Sequence, residues 1–220
     1  MGNRKKYDDD LNEMSSLLIK MGAMASDAIE KAMKAMKDMD KGLAKEVVEG
    51  DNKIDEMERE IEQRCLRLIL KQQPIAGDLR KISTAIKMIT DIERIGDAAS
   101  DIAEISLHLD ECTFEGIQKS VFEMADAAKN MVVSSIDAYV EENFILAVNT
   151  IKQDDVVDGY FLSIRNELSK RLIKNEHEMD SVMDYLMIIK YLERLGDHAV
   201  NICEWVQFYM TGVHKNERIV

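Results

Sequence analysis

The residues best suited to chemistry in this chain are acidic side chains that recur at one spacing. Glu93, Asp97 and Asp101 lie four residues apart, and so do Glu193 and Asp197. A four-residue step turns a helix about 40° beyond one full circle, so on a helix each set shares a face. Oxygen-rich faces suit hard cations such as Mg²⁺, Ca²⁺ and Mn²⁺, or carboxylate-bridged iron.

Two more acidic pairs could complete such sites from neighbouring helices. Asp51 and Asp55 stand near the start of a predicted second helix, and Asp154 and Asp158 hold the corresponding place in the second half. Opposed carboxylates from two helices can supply the several oxygens that a hard cation requires. The candidate metal ligands are therefore Asp51, Asp55, Glu93, Asp97, Asp101, Asp154, Asp158, Glu193 and Asp197.

A plain alternative is a solvated acidic surface. With 42 acidic residues among 220, chance alone gives about eight acidic pairs at this spacing, and such pairs usually mark an exposed charged face. Like charges four residues apart cost a helix only about 0.2–0.5 kcal/mol per pair, so no cation is demanded. Recurrence in both halves is stronger evidence, but shared descent of the halves could also produce it.

Other kinds of chemistry find no support in the chain. None of the four histidines completes the Glu-x-x-His spacing of ferritin-like di-iron sites, and His198 follows Asp197 without a counterpart in the first half. Phosphate-loop, dinucleotide-binding, zinc-protease and nucleophile-elbow motifs are missing from the sequence. Three widely spaced cysteines, Cys65, Cys112 and Cys203, favour buried thiols in a reducing cytosol. We therefore expect a protein that is not an enzyme.

The acidic motif belongs to an internal repeat that fixes the architecture. Seven of the thirteen residues at 93–105 are identical to those one hundred positions later. Apolar residues at alternating steps of three and four predict long helices, and the pattern restarts at Ile117. The predicted helices span 8–40, 43–72, 78–110, 143–174 and 179–210, and the fourth helix in chain order has core positions from Ile117 to Ala138. We expect an all-α fold of two pseudosymmetric three-helix bundles, 1–112 and 113–220, without strands.

Local signals suggest how these helices end and pack. Gly42 is expected to end the first helix, and Asp78 to cap the third. Gly96 and Gly196 occupy core-facing positions, where glycine costs a helix about 1 kcal/mol relative to alanine. Close helix packing is the favoured explanation, ahead of backbone contact with a ligand. The repeated arginines, Arg94 and Arg194, could pair with acidic residues across the bundle or neutralise the acidic face, and the sequence does not decide between these roles.

Charge limits the partners. The formal net charge is −13 and the pI is about 4.8, so nucleic acid is not an expected partner. The N-terminus has no apolar signal core, and no stretch is long enough to span a bilayer. We expect a soluble, cytoplasmic protein that reaches a membrane only through partners.

Taken together, these motifs resemble the PhoU family of phosphate-uptake regulators. The similarity covers nearly the whole chain and is most specific at 48–55, 73–80, 93–97 and 191–198. The fold that the resemblance implies is two three-helix bundles related by pseudosymmetry. Its function would be a negative regulator of phosphate signalling, which bridges the ATPase subunit of the Pst transporter and a PhoR-type sensor histidine kinase, and a homodimer is expected.

The resemblance also bears on the acidic residues. The family's Glu/Asp-x-x-x-Asp motifs bind metal in some members, and here they correspond to Glu93, Asp97 and Asp101 and to Glu193 and Asp197. Iron, manganese, magnesium or zinc are the candidate ions. Asn201 stands where the family's second motif continues with Asp, so we expect the second site to bind more weakly than the first.

Overall fold

Seven α-helices dominate the computed structural model, which describes residues 2–72, 74, 76–109, 114–215 and 217–218. The helices are α1 (Gly2–Asp38), α2 (Lys41–Gly50), α3 (Asn52–Gln72), α4 (Ala76–Ser106), α5 (Glu115–Val140), α6 (Phe144–Lys174) and α7 (Met179–Thr211). One 3₁₀ turn, Glu176–Glu178, precedes α7. The predicted all-α fold is confirmed, with α2 and α3 together taking the place of the predicted second helix.

The apolar periodicity explains where the core lies. In α1, Met14, Leu18, Met21 and Ala25 are fully buried, as the three-four spacing requires of an amphipathic helix. The same holds for the predicted core positions of α4 and α7, where Ile92 and Leu192 are also fully buried. Cys65 and Cys203 are free, buried thiols, whereas Cys112 lies outside the described residues.

The turn between α1 and α2 differs from the prediction at Gly42. Met39, rather than a glycine, takes the left-handed conformation after α1, with φ of 53°. The carboxylate of Asp40 then accepts hydrogen bonds from the backbone N–H groups of Gly42 and Leu43, at 2.9 and 3.0 Å. Gly42 therefore lies in the first turn of α2, and Asp40 is the capping residue.

The third predicted helix begins earlier and ends earlier than expected. It starts at Ala76, so Asp78 lies in the first turn rather than at the cap, where a carboxylate still complements the helix dipole. The helix ends at Ser106 instead of residue 110.

The predicted helix over 43–72 is interrupted at Asp51. The residue keeps helical backbone angles, but its carbonyl accepts a tight bond from the N–H of Ile54 at 2.8 Å and a longer one from Asp55 at 3.3 Å. This interruption separates α2 from α3 and places Asp51 at the junction, facing α4.

Two sets of helices pack around one continuous core. The first set is α1 to α4 and the second is α5 to α7, and they join through α4 against α7 and α1 against α5. The α4–α7 pair is antiparallel: Arg80 Nε donates to the carbonyl of Tyr209 at 3.2 Å, and Asp91 on the next turns contacts His198 at 2.9 Å. The two repeats therefore face each other along their motif-bearing helices.

A short β-ribbon follows α7, which corrects the expectation of no strands. The helix ends at Gly212 with φ of 76°, and Val213–His214 (β1) pairs antiparallel with Glu217–Arg218 (β2). Two residues per strand are too few to produce the period-two pattern by which strands are recognised in sequence. Among the described residues, no helix is both long enough and apolar enough to cross a bilayer.

Candidate metal centre

Three of the candidate ligands meet between the α2–α3 junction and α4. One carboxylate oxygen from each of Asp51, Asp55 and Asp97 lies within 4.8 Å of the other two. All three side chains are partly buried. We call these residues, together with Glu93, the first acidic cluster. The four-residue spacings on α3 and α4 thus bring opposed carboxylates together, as the sequence suggested.

Gly96 makes this approach possible. A Cβ atom at this position would lie 2.8 Å from Cδ1 of Ile54 and 3.2 Å from Oδ1 of Asp51. The glycine therefore permits close packing of α4 on the α2–α3 junction, which is the explanation favoured from sequence. The structure adds that the group packed against it includes a carboxylate, so the glycine is part of the geometry of the cluster.

Charge repulsion and burial act together on the first acidic cluster. Burial, reinforced by Asp97 and Asp55, raises the pKa of Asp51 to about 6. Burial and the charge of Asp97 likewise raise the pKa of Glu93 to about 6, with Arg94 opposing them. Oδ1 of Asp51 and Oε2 of Glu93 are buried oxygens without a hydrogen-bond partner. An unpaired buried carboxylate oxygen is costly, and a proton or a bound cation would lower that cost.

Arg94 neutralises the cluster only in part. Its guanidinium donates to Asp97 at 2.8 Å and lies 3.3 Å from Oε2 of Glu93, without the alignment of a hydrogen bond to the latter. Both contacts are on its own helix, so of the two alternatives the arginine serves the acidic face rather than a bond across the bundle. Arg94 is half exposed, and solvent weakens its effect on the cluster.

Asp101 lies at the edge of the cluster rather than inside it. Its charge still acts on Asp51, but its carboxylate also lies beside the hydroxyl of Tyr191 on α7. Burial raises the pKa of Asp101, while Tyr191 and Arg194 counteract that rise. The residue predicted as a third ligand on α4 therefore connects the first acidic cluster to the other half of the molecule.

Glu58 joins this surface and was missed from sequence. Its charge contributes to the raised pKa of Glu93, and its carboxylate accepts a hydrogen bond from Thr90 at 3.2 Å. The spacing of Asp51, Asp55 and Glu58 along the helical segment was a usable signal. It does not recur in the second half, where Phe161 stands at the equivalent position.

The second half repeats the arrangement with differences. Gly196 faces Asp154, whose Oδ1 would lie 2.8 Å from a Cβ at that position. Burial, with the charges of Asp158 and Asp197, raises the pKa of Asp154 to about 6. Glu193 pairs with Lys190 on its own helix. We call Asp154, Asp158, Glu193 and Asp197 the second acidic cluster.

The second acidic cluster is more open than the first. Asp158 and Asp197 are exposed, although partial burial still raises the pKa of Asp197. Within the described part of the chain, the first cluster alone brings three carboxylate oxygens within 4.8 Å of one another. Each half thus places its candidate ligands on facing helices, but with different degrees of convergence.

Asn201 belongs to the interface between the halves rather than to the second cluster. Its amide donates to Oδ1 of Asp91 at 3.2 Å, and the same oxygen lies 2.9 Å from Nδ1 of His198. His198 is therefore a satisfied histidine at a helix contact. Asp91 gave no signal in the sequence, because its equivalent in the second half is Tyr191.

The donor set of the first acidic cluster fits a hard cation. Three of its carboxylates, Asp51, Asp55 and Asp97, converge, while Glu93 lies outside that group of three, and no histidine or cysteine belongs to the group. Asp51 and Glu93 each have a buried oxygen without a hydrogen-bond partner. Oxygen ligands select Mg²⁺, Mn²⁺, Ca²⁺ or ferric iron, whereas structural zinc sites are typically built from cysteine and histidine. Among the ions named from sequence, zinc fits least well.

Comparison of the chain with known proteins shows the family to which it belongs. The model of the PhoU domain matches the chain twice, at residues 18–106 and 121–206, one match on each side of the repeat boundary. The chain belongs to the PhoU family. The family resemblance drawn from the motifs is confirmed.

Relatives match along almost the whole chain. A phosphate-specific transport system accessory protein PhoU homolog from Clostridium acetobutylicum is 40% identical over 210 residues, covering 95% of this chain and 96% of the relative. A PhoU homolog 1 from Thermotoga maritima is 34% identical over 218 residues, covering 96% and 91%. These relatives are named as accessory proteins, in agreement with the prediction that the chain is not an enzyme.

Solved structures of the family share the fold. The crystal structure of PhoU from Pseudomonas aeruginosa superimposes with a TM-score of 0.89 at 32% identity, covering 94% of this chain and all of that one. The phosphate transport system regulatory protein PhoU from Streptococcus pneumoniae gives a TM-score of 0.87 at 26% identity, covering 97% and 99%. The arrangement of six long helical segments is therefore that of the family.

Proposed function

We propose that this protein is a negative regulator of phosphate uptake and of phosphate-starvation signalling. The observation that carries the proposal is the match of both halves to the PhoU domain, together with relatives named as accessory proteins of a phosphate-specific transport system. The proposal includes a cytoplasmic location. A role as adaptor suits a chain built almost entirely of long helices, since exposed helix faces can dock on partner proteins.

The proposed partners are the ATPase subunit of the Pst transporter and a PhoR-type sensor histidine kinase. The net charge of −13 supports association with basic surfaces on those partners, and screening by salt should weaken it. Self-association as a homodimer forms part of the proposal, because apolar side chains such as Ile145 and Ile173 remain 71% and 87% exposed.

Metal binding at the two acidic clusters is the chemical part of the proposal. Asp51, Asp55, Glu93 and Asp97 would hold the ion in the first half. A bound cation would supply positive charge to buried oxygens that have no hydrogen-bond partner. The residues themselves orient the carboxylates: Gly96 lets Asp51 approach α4, and Arg94 donates a hydrogen bond to Asp97. Asp154, Asp158, Glu193 and Asp197 would form a second, weaker site.

Two experiments test the proposal. Deletion of the gene should raise phosphate-starvation gene expression when phosphate is plentiful, and the wild-type gene should restore repression. The double variant Asp55→Ala plus Asp97→Ala separates the regulatory part from the metal part, because it removes two of the three converging carboxylates. Unchanged expression in the deletion strain would refute the regulatory role whatever the metal content.

Partner recovery is the second experiment. Tagged protein should co-purify with the transporter ATPase and the sensor kinase at low salt, and recovery should fall at ~0.5 M salt, where charges more than a few ångströms apart are screened. Recovery of neither partner at low salt would remove the adaptor role. Turnover by the metal-loaded protein would instead favour a carboxylate-cluster enzyme.

A further inference from the structure

A small apolar cavity lies between the start of α4 and the end of α7, remote in sequence from both acidic clusters. Its volume is about 220 Å³, and it is lined by Ala76, Leu79, Arg80, Ser83, Lys87, Trp205 and Phe208. Trp205 and Phe208 meet edge to face, with ring centroids 5.7 Å apart. Leu79 is 37% exposed, so the cavity opens to the surface beside an apolar side chain.

The rim of this cavity carries positive charge without a carboxylate. Arg80 and Lys87 line it, and among the residues that the structure describes no acidic one does. The formal net charge of the chain is −13, so a cavity lining that carries two cations is opposite in charge to the protein as a whole. Arg80 also lines the neighbouring cleft, where the acidic residues are Asp78 and Glu142, so Lys87 is the cation that lines this cavity alone. Glu204 pairs with Lys215 at 3.0 Å.

The internal repeat provides a control for this charge. One hundred residues on, Arg80 and Lys87 are replaced by Asp180 and Met187, and Ser83 by Met183. The two cations therefore belong to the first half alone. They do not follow from the sequence pattern that α4 and α7 share.

Contacts within the protein use only some of the hydrogen-bond donors of Arg80 and Lys87. Arg80 donates its Nε–H to the carbonyl of Tyr209, which is one of the five N–H donors of a guanidinium. The ammonium of Lys87 is exposed and lies 5.7 Å from the ring centroid of Trp205. On the far side, His214 stacks on Trp205 with centroids 4.0 Å apart, so the β-ribbon supports the aromatic wall.

We propose that this cavity docks one large apolar side chain from an acidic segment of a partner protein. Its volume is below the roughly 300–1,000 Å³ of pockets for whole small molecules, but a single anchoring side chain in a pocket is the usual core of a protein contact. Arg80 and Lys87 pair with acidic residues on either side of that anchor. The choice of a protein partner rests on the proposed adaptor role, while the acidic segment goes beyond it, because the overall charge of the chain favours basic partners.

The test uses a synthetic peptide and the full-length protein. The probe is an acetylated pentapeptide with one phenylalanine flanked by two glutamates on each side. Trp205 is the only tryptophan of the chain, so its emission reports occupancy of the cavity directly. We expect a saturable change in that emission, and loss of it when the phenylalanine is replaced by alanine.

Protein variants then separate the rim from general electrostatics. Arg80→Gln plus Lys87→Gln should weaken binding about fivefold, the effect of two exposed ion pairs. Lys81→Gln is the matched control, because Lys81 lies over Tyr209 and does not line the cavity, and it should change binding less than about twofold. Lys87→Gln alone leaves the Arg80 contact intact, so it preserves the test if the double variant unfolds.

Several results would overturn the proposal. These are the absence of a saturable signal at millimolar peptide, an equal effect of Lys81→Gln, and equal binding of a peptide with lysines in place of the glutamates. Tighter binding of phenyl phosphate than of the peptide would assign the cavity to small anions instead. None of these outcomes depends on the transporter, the kinase or metal, so failure here leaves the proposed function untouched.

Discussion

Asp51→Asn should stabilise the metal-free protein at neutral pH. Asp51 holds a buried oxygen without a hydrogen-bond partner and stands among like charges, which raise its pKa to about 6 from an ordinary 3.8. Below pH 3.8 the residue is protonated in both folded and unfolded chains, and its contribution to stability is fully present. As pH rises to about 6 and beyond, that contribution is lost, because the unfolded chain ionises more easily.

The magnitude follows from the difference between the two pKa values. At about 1.36 kcal/mol per unit, a rise from 3.8 to 6 corresponds to roughly 3 kcal/mol at pH 7.5. Asp51 is partly exposed, so solvent screening reduces this to about 1–2 kcal/mol. The isosteric amide removes the charge, and the free energy of unfolding should rise by that amount. At pH 5.0 the gain should shrink to about half, since Asp51 is then mostly protonated in the fold.

Urea unfolding in the presence of a chelator measures the effect, with Trp205 fluorescence and helical circular dichroism as independent signals. Asp137→Asn is the control, because it removes one exposed charge from α5 with the same chemistry. A gain at pH 7.5 that Asp137→Asn reproduces, or no gain at all, would refute the reasoning that unpaired charge at the cluster costs stability.

Three further predictions concern the clusters and the interface between the halves. Mn²⁺ or Fe³⁺ should raise the unfolding temperature of the wild type but not of Asp55→Ala plus Asp97→Ala, while Asp158→Ala plus Asp197→Ala should lose only the weaker of two binding events in calorimetry. Gly159→Ala, in open space in the middle of α6, should gain about 0.5–1 kcal/mol from helix propensity, whereas Gly96→Ala should gain nothing in urea unfolding because its Cβ meets Ile54 and Asp51. A stabilised Gly96→Ala protein would contradict the close approach of α4. Asp91→Ala should cost about 1–3 kcal/mol in the same measurement, because His198 and Asn201 both lose their partner, and a loss below 0.5 kcal/mol would show that this contact is unimportant.

The helices were predictable because their apolar periodicity is long and regular. Met14, Leu18 and Met21 follow one stripe of α1 and are all fully buried, so pattern and burial agree. The repeat then fixed which helices correspond and predicted that Glu93 and Glu193 hold equivalent places. The division of the chain at residues 112 and 113 stays a prediction, since residues 110–113 lie outside the described part of the chain.

Local breaks were not predictable, because they depend on tertiary contacts. The separation of α2 from α3 at Asp51 has no proline and only Gly50 before it, and a helical pattern runs through it. Met39 takes left-handed geometry that a single sequence would assign to Gly42. The same reason explains Asp101 and Asn201. Their spacing in the motif groups them with the candidate ligands, but their side chains lie against the opposite half of the molecule.

The contacts across α4 and α7 show whether the two halves could replace each other. Asp91 contacts Asn201, and Asp101 lies beside Tyr191. The two contacts are equivalent to each other, because Tyr191 corresponds to Asp91 in the repeat and Asn201 corresponds to Asp101. A molecule assembled from two copies of the first half would set Asp91 against Asp101 twice, and two carboxylates would repel at the place where Asn201 now donates to Asp91. Two copies of the second half would set tyrosine against asparagine. The interface therefore needs one copy of each half, because two copies of either half would not reproduce its contacts.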